Sequence, residues 1–232
     1  KLGTPQHAAE EVAVRFKLPV KGAHYDFGAK FGATPAEAVV ILKAVAAAGY
    51  RPALTFHPGT QCTDPAAWVR YIEVAHAVSQ RAEVDLERVN VGGGFAVWRD
   101  RQAPDLERVF TQISDCVKAL FGEKSPALVC EPGRAMVASA FTLATQIKAL
   151  RGLRTLFLND GVYGLLSEFR DLGVSQRYQA WRAGSKLAGP SAAYTVFGPT
   201  CDSIDKLPSL LHLPKSIQEG DYLLFSEIGA YS

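Results

Sequence analysis

Up to about residue 134, short apolar runs alternate with long amphipathic ones, and this alternation restricts the fold more than any other feature of the chain. VAVRFKLPV (12–20) reads as a strand. TPAEAVVILKAVAAAG then opens a helix with a capping box: Thr34 is the N-cap, Pro35 the first helical residue, Glu37 reaches back, and Gly49 closes the helix. RPALTFH (51–57) is a strand, and DPAAWVRYIEVAHAVSQRA (64–82) a helix with Pro65 near its start. DLERVNV (85–91) gives a third strand, PDLERVFTQISDCVKALFG (104–122) a third helix and PALVCE (126–131) a fourth strand. Strands and helices in alternation, with short links, imply parallel strands with right-handed crossovers, in a barrel or an open α/β sheet.

After Arg134 the texture changes. SAFTLATQIKAL, TLFLNDG, SAAYTVFGP and GDYLLFSEIGAYS are strand-like with turn residues between them, and only 204–212 hints at a helical period. The fold class is therefore α/β plus β, with a first domain over 1–134 and a β-rich second domain over 135–232. Segment 165–190 has no clear period and reads as a long loop or irregular hairpin.

The bulk numbers exclude more than they assign. The chain has 232 residues, 48% of them hydrophobic, enough to bury a real core. A formal charge of +2 with mixed signs gives no reason to expect nucleic acid or a membrane surface as partner. Its apolar runs fall short of a membrane span, and no signal-peptide pattern is present. Cys62, Cys116, Cys130 and Cys201 lie far apart without a CxxC pair. Neither a zinc site nor a disulfide framework is expected, and a cytoplasmic location fits free thiols.

In a parallel α/β array, chemistry collects at the C-terminal strand ends. Here those ends read FHPGTQC, VNVGGGF and CEPGR. Gly92, Gly93 and Gly94 would let backbone N–H groups approach an anion such as a phosphate, although a lone Gly triplet is also what a flexible turn looks like. The triplet does not fit the GxGxxG dinucleotide pattern. His57 could be a base, a metal ligand or a flat stacking surface, or simply structural; no second His nearby supports a metal. Glu131 and Arg134 could pair with each other, or Arg134 could fork onto a phosphate while Glu131 faces a cationic ring nitrogen. In GPTCDSID, Cys201 stands beside Asp202, whose charge disfavours a thiolate, so Cys201 is not a conventional nucleophile. Asp160 and Tyr163 in LNDGVYG, and Tyr231 in GAYS, are polar tips that each pass singly as turn chemistry.

In this order, FHPGTQ, VGGGF, EPGR, NDGVYG, GPTCDSID and GDYLLFSEIGAY resemble the fold-type III pyridoxal-phosphate (PLP) decarboxylases of basic amino acids. The ornithine decarboxylases are the nearest in pattern, including enzymes that also take lysine. The resemblance runs from about Arg15 to Ser232. It implies a (β/α)8 barrel of alanine-racemase type, of which this chain holds the C-terminal half, followed by a β-rich domain. Diaminopimelate decarboxylases also carry EPGR but typically have Cys-Glu where Cys201-Asp202 stand, so the Cys-Asp form points to a diamine product. The alanine racemases share the barrel but not GPTCD and EPGR.

The resemblance also implies roles. Glu131 would contact the pyridine nitrogen and His57 stack on the ring, while Arg134, Gly92, Gly93, Gly94, Tyr231 and Thr60 would hold the phosphate. Cys201 would manage the proton returned to carbon after decarboxylation. Asp202 would bind the substrate's distal ammonium, with Asp160 and Tyr163 lining the same region and Asp171 a weaker candidate. Cys201 and Asp202 would come from the partner subunit of a homodimer. Lys30 and Asp205 match positions that pair across that interface, though both could be solvated charges, and Arg15 matches an arginine near the cofactor.

One departure is large. The lysine that carries PLP lies in this family on an early barrel strand, in a Val-Lys-(Ala/Cys)-Asn context, and none of the eleven lysines here has that setting. A half barrel would leave open sheet edges, so the sequence is expected to be part of a longer protein. The expected activity is decarboxylation of L-ornithine to putrescine, with lysine to cadaverine as a second substrate, in polyamine biosynthesis. The alternative is a non-catalytic homologue resembling the antizyme inhibitors.

Overall fold

A computed structural model describes Gly3, Pro5 and residues 10–18, 30–98, 105–173 and 176–231. The described residues up to Ala96 and from 105 to Gly133 belong to one compact unit, and those from Arg134 onward belong to a second.

In the first unit β1 (Glu11–Arg15), β2 (Arg51–Thr55), β3 (Arg88–Asn90) and β4 (Ala127–Val129) lie parallel, in chain order. Helices α1 (Pro35–Ala47), α2 (Ala66–Ala82) and α3 (Leu106–Phe121) run between them. Parallel neighbours need long crossovers, and these helices supply them. The capping box is formed: Thr34 Oγ1 accepts from the Glu37 N–H at 3.3 Å, and Glu37 Oε2 accepts from the Thr34 N–H at 2.8 Å. Gly49 lies one residue beyond the Ala48 C-cap, at φ +86°, a conformation that favours glycine.

Register decides where the site falls. Arg15, Thr55, Asn90 and Val129 stand side by side at the strand ends. Side chains alternate along a strand, so the preceding row, Val14, Leu54 and Val89, points the other way and is buried. The later row, two residues on, contains His57, Gly92 and Glu131. Backbone bonds carry the ladder that far: Phe56 N–H to Asn90 O, Val91 N–H to Val129 O, and Glu131 N–H to Gly92 O at 2.8 Å.

The first strand is shorter than its apolar run suggests. After Arg15, Phe16 bridges to Ala33, and the Tyr71 hydroxyl accepts the Leu18 N–H (2.9 Å) and donates to the Leu18 carbonyl oxygen (3.2 Å). A side chain from α2 there replaces a strand neighbour. The last two residues of the predicted strand, 19 and 20, lie outside the described residues.

The second unit is a seven-stranded sheet in the order β10-β9-β6-β5-β11-β7-β8. Its strands are β5 (Thr142–Arg151), β6 (Thr155–Leu158), β7 (Tyr178–Arg182), β8 (Ser185–Lys186), β9 (Ser191–Phe197), β10 (Leu211–Pro214) and β11 (Tyr222–Ser226). Among the described residues of this unit only β6 and β9 pair in parallel. A short helix, α4 (Arg134–Val137), opens the unit. The core gathers Ile147, Leu156, Leu158, Val196, Leu223 and Phe225 with Phe169.

Of the two readings of segment 165–190, the hairpin is present as β7–β8 and the long loop is wrong: the segment also holds α5 (Ser167–Leu172), which buries Phe169 and Glu168. That hairpin turns through Ala183 and Gly184, both at positive φ, as a tight two-residue turn requires. The hint of helix at 204–212 is also wrong: Lys206 bridges Phe197, and β10 pairs with β9 from Leu211. Sheet pairing overrides a weak local period.

Candidate functional site

The first unit brings the strand-end residues together as a built constellation. Gly92 and Gly94 have φ of +69° and +84°, and a Cβ on either would collide with backbone: the Phe56 carbonyl for Gly92, the Gly59 carbonyl for Gly94. Gly93 has ordinary φ, but its Cβ would lie 2.5 Å from the Glu131 carbonyl oxygen and 3.1 Å from His57 Nε2. The triplet is therefore a steric requirement of three converging strand ends, and the flexible-turn reading does not hold. Among the described residues no acceptor takes the N–H groups of Gly93 and Gly94. Such a pair is the donor set of an anion nest.

His57 Nδ1 accepts the Gly59 N–H at 3.1 Å, which places the proton of the neutral ring on Nε2. Burial lowers the His57 pKa from 6.5, Arg15 adds to the shift, and Glu131 opposes it. The ring is thus a neutral, flat surface at pH 7. Thr60 is half-buried in the loop after β2. Glu131 accepts from Asn90 Nδ2 at 2.6 Å. Asn90 escaped the sequence reading, although a polar residue closing an apolar strand just before the Gly triplet was a usable signal.

The second unit holds the remaining candidates in two groups. In one, Arg134 lies with its guanidinium 4.6 Å from the Tyr231 ring centroid, a cation–π contact. Gly229 makes this possible: its N–H donates to Ala138 O at 3.0 Å, and a Cβ there would strike the Val137 carbonyl. Tyr231 sits at φ +59°, rare for an aromatic residue. Arg134 Nε lies 3.5 Å from Glu168 Oε1, and Arg177 NH2 lies 3.8 Å from the same oxygen. All three are buried, at 9%, 5% and 2% exposure. Two guanidiniums thus share one buried carboxylate. Burial lowers the Arg134 pKa, Tyr231 opposes this and Arg177 adds to it. Glu168 and Arg177 were missed because they lie in the segment whose period could not be read. Glu131 and Arg134 thus each have a partner other than the other.

In the second group the Tyr163 hydroxyl donates to Asp202 Oδ2 at 2.7 Å. The Ile204 N–H and then Tyr163 lower the Asp202 pKa, so this exposed carboxylate is ionised. Cys201 is exposed beside it. Asp160 instead closes a turn: Oδ1 accepts the Gly161 N–H at 2.8 Å and Leu165 N–H at 3.3 Å, and Gly164 has no room for a Cβ against it. Asp160 shapes the loop that presents Tyr163. Asp205 is not a solvated charge either. It is 1% exposed and accepts from Val162 N–H (3.0 Å), Thr200 N–H (3.1 Å) and Thr200 Oγ1 (2.8 Å), tying the Tyr163 loop to the Cys201 loop. Lys30 is exposed, 5.2 Å from the Phe31 ring centroid. Asp171 is exposed and accepts from Arg170 Nε at 3.0 Å.

The sequence profile of the pyridoxal binding domain of the pyridoxal-dependent decarboxylases matches residues 3–138. The chain belongs to this family. Ornithine decarboxylase 2 of Drosophila melanogaster is 31% identical over 94% of the chain, which spans 58% of that protein. Antizyme inhibitor 2 of Xenopus laevis is 30% identical over 77% of the chain and 43% of its own length. The crystal structure of lysine decarboxylase from Selenomonas ruminantium superposes with a TM-score of 0.79 at 30% identity, over 97% of this chain and 59% of that one. The chain therefore spans about half the length of these relatives, and the four parallel strands are β/α units of the family's barrel, followed by its β-rich domain. Membership implies PLP as cofactor, and the residues of the first unit fit it: the N–H donors of Gly93 and Gly94, a carboxylate at Glu131 and a neutral ring at His57. Among the described residues no helix is long and apolar enough to cross a membrane, and no cluster of His, Cys, Asp and Glu could hold a metal.

Proposed function

We propose that the protein decarboxylates a basic amino acid, L-ornithine first and L-lysine second, yielding putrescine or cadaverine for polyamine biosynthesis. The observation that carries this reading is Asp202, an exposed carboxylate kept ionised and held by Tyr163. It is a suitable partner for the ammonium at the far end of such a substrate.

Bound PLP supplies the electron sink for the carbon that loses carbon dioxide. The chain's residues would do the rest. Glu131 would pair with a protonated ring nitrogen, His57 would cover the ring, and the Gly92–Gly94 loop, through the N–H groups of Gly93 and Gly94, would hold the phosphate with Thr60, Arg134 and Tyr231. Glu168 and Arg177 hold Arg134 in place. The Cys201 thiol gives a proton to the carbon that carried the carboxylate, and Asp202 selects the distal ammonium. Tyr163 orients Asp202, and Asp160 holds the loop bearing Tyr163. In a cytoplasmic homodimer Cys201 and Asp202 would serve the partner's cofactor.

The similarity to an antizyme inhibitor favours one second reading, a binding protein without decarboxylase activity. Release of labelled carbon dioxide from carboxyl-labelled ornithine, lysine and arginine separates the two. PLP-dependent release from ornithine and lysine supports the enzyme. PLP binding with no release from any of the three would favour the non-catalytic homologue.

A further inference from the structure

Asn90 closes β3 in register with Thr55 and Val129. Its side chain is used at both ends: Oδ1 accepts the Gly92 N–H at 2.9 Å, and Nδ2 donates to Glu131 Oε1 at 2.6 Å. Gly92 and Glu131 are already joined through the backbone, Glu131 N–H to Gly92 O at 2.8 Å. The amide closes a second link between the same two residues, so the glycine loop and the carboxylate form one rigid ring of hydrogen bonds. Only an amide fits this place: leucine matches its bulk but offers neither group, and alanine leaves both partners unmet. The two bonds also fix the orientation of the amide, since Oδ1 must face the N–H and Nδ2 the carboxylate.

We propose that Asn90 is a positioning residue that aims Glu131 at the ring nitrogen of the cofactor. The inference rests on the reading that Glu131 faces that nitrogen. By engaging Oε1, Asn90 fixes the rotation of a long, flexible side chain before any ligand arrives and leaves Oε2 for the ring. The ordering of Glu131 is then met during folding and not during binding.

The test uses pyridoxine 5'-phosphate, an alcohol that cannot condense with a lysine, and its carbocyclic analogue, in which CH replaces the ring nitrogen. Dissociation constants for both are measured by calorimetry on wild type, Asn90→Leu, Asn90→Ala and Glu131→Gln. Wild type should prefer the nitrogen compound. Asn90→Leu should weaken that compound by roughly tenfold or more, as loss of a hydrogen bond to a charged group does, and leave the analogue within about twofold. Asn90→Leu in the Glu131→Gln background should cost no further preference. Asn90→Ala gives the same comparison should the leucine variant fail to fold. Equal weakening of both ligands would make Asn90 a strut of the glycine loop and overturn the proposal, as would no weakening of either. If wild type binds both ligands equally, the assignment of Glu131 to the ring nitrogen falls; if it binds neither, the cofactor reading itself falls, and the proposal with it.

Discussion

The Tyr163 hydroxyl lies 2.7 Å from Asp202 Oδ2, joining the loop after β6 to the loop after β9. Asp202 pulls the tyrosine pKa above 10, mainly through this hydrogen bond. Ultraviolet titration should show Tyr163 ionising late, and Asp202→Asn should return it to the ordinary range near 10. Tyr163→Phe should raise the Asp202 pKa only part of the way, because the Ile204 N–H remains bonded to it. A tyrosine titration curve unchanged by Asp202→Asn would mean that the bond does not exist in solution.

Glycine loop variants should separate stability from binding. Gly94→Ala meets both positive φ and the Gly59 carbonyl, and should cost about 2–4 kcal/mol in chemical denaturation. Gly93→Ala meets only contacts, with Glu131 O and His57 Nε2, and should cost about 1–3 kcal/mol. It displaces the two residues proposed to hold the ring, so pyridoxine 5'-phosphate affinity should fall out of proportion to stability. A Gly93→Ala protein with wild-type affinity would contradict the packing described.

The buried carboxylate shared by Arg134 and Arg177 makes a sharper prediction. Glu168→Gln removes the buried negative charge that lies 3.5 Å from Arg134 and 3.8 Å from Arg177 and should cost roughly 3–5 kcal/mol. Added inorganic phosphate should recover part of that loss. Stability unaffected by the substitution would mean that the cluster is not buried as described.

Asp221 gives a pH signature. It is 1% exposed, and Arg182 binds both its oxygens, at 2.7 and 2.9 Å. Burial raises its pKa, but Arg182 and the Gln218 N–H outweigh burial, so the net shift is downward. The folded state therefore holds this proton less tightly than the unfolded chain, whose value is about 3.9. The stabilisation is complete above that value and is lost as pH falls through the lower folded pKa. Asp221→Ala should cost about 2 kcal/mol at pH 7 and progressively less below about pH 4.

For His57 the sign is that of a base disfavoured by burial. Its folded pKa is lowered, so stability falls as pH drops below the unfolded value of about 6.5 toward the folded one. Its NMR titration midpoint should lie below that of a free imidazole, and Arg15→Ala should raise it. A midpoint at or above about 6.5 would mean that the ring is solvated.

Much of the first unit was legible because local and periodic rules agree there. Thr34 and Glu37 cap the helix that their spacing announces, and strand period alone aligns His57, Gly92 and Glu131. The sequence could not show that Tyr71 ends β1, since that contact spans 53 residues. It could not place Glu168, because a six-residue helix is too short to display a period. Asp160 reads as a substrate contact and Asp205 as an interface or solvated charge in sequence, yet their carboxylates are taken up by backbone N–H groups of turns, where Asp is a common residue.

The central claim is that this chain grips PLP by its phosphate through Arg134. Calorimetric titration with PLP and with unphosphorylated pyridoxal, on wild type and Arg134→Met, tests it most directly. The account predicts saturable PLP binding that weakens at least about tenfold in Arg134→Met, as loss of a charge-assisted bond does, with pyridoxal binding unchanged. Equal PLP affinity in both proteins, or no saturable binding by wild type, would contradict it.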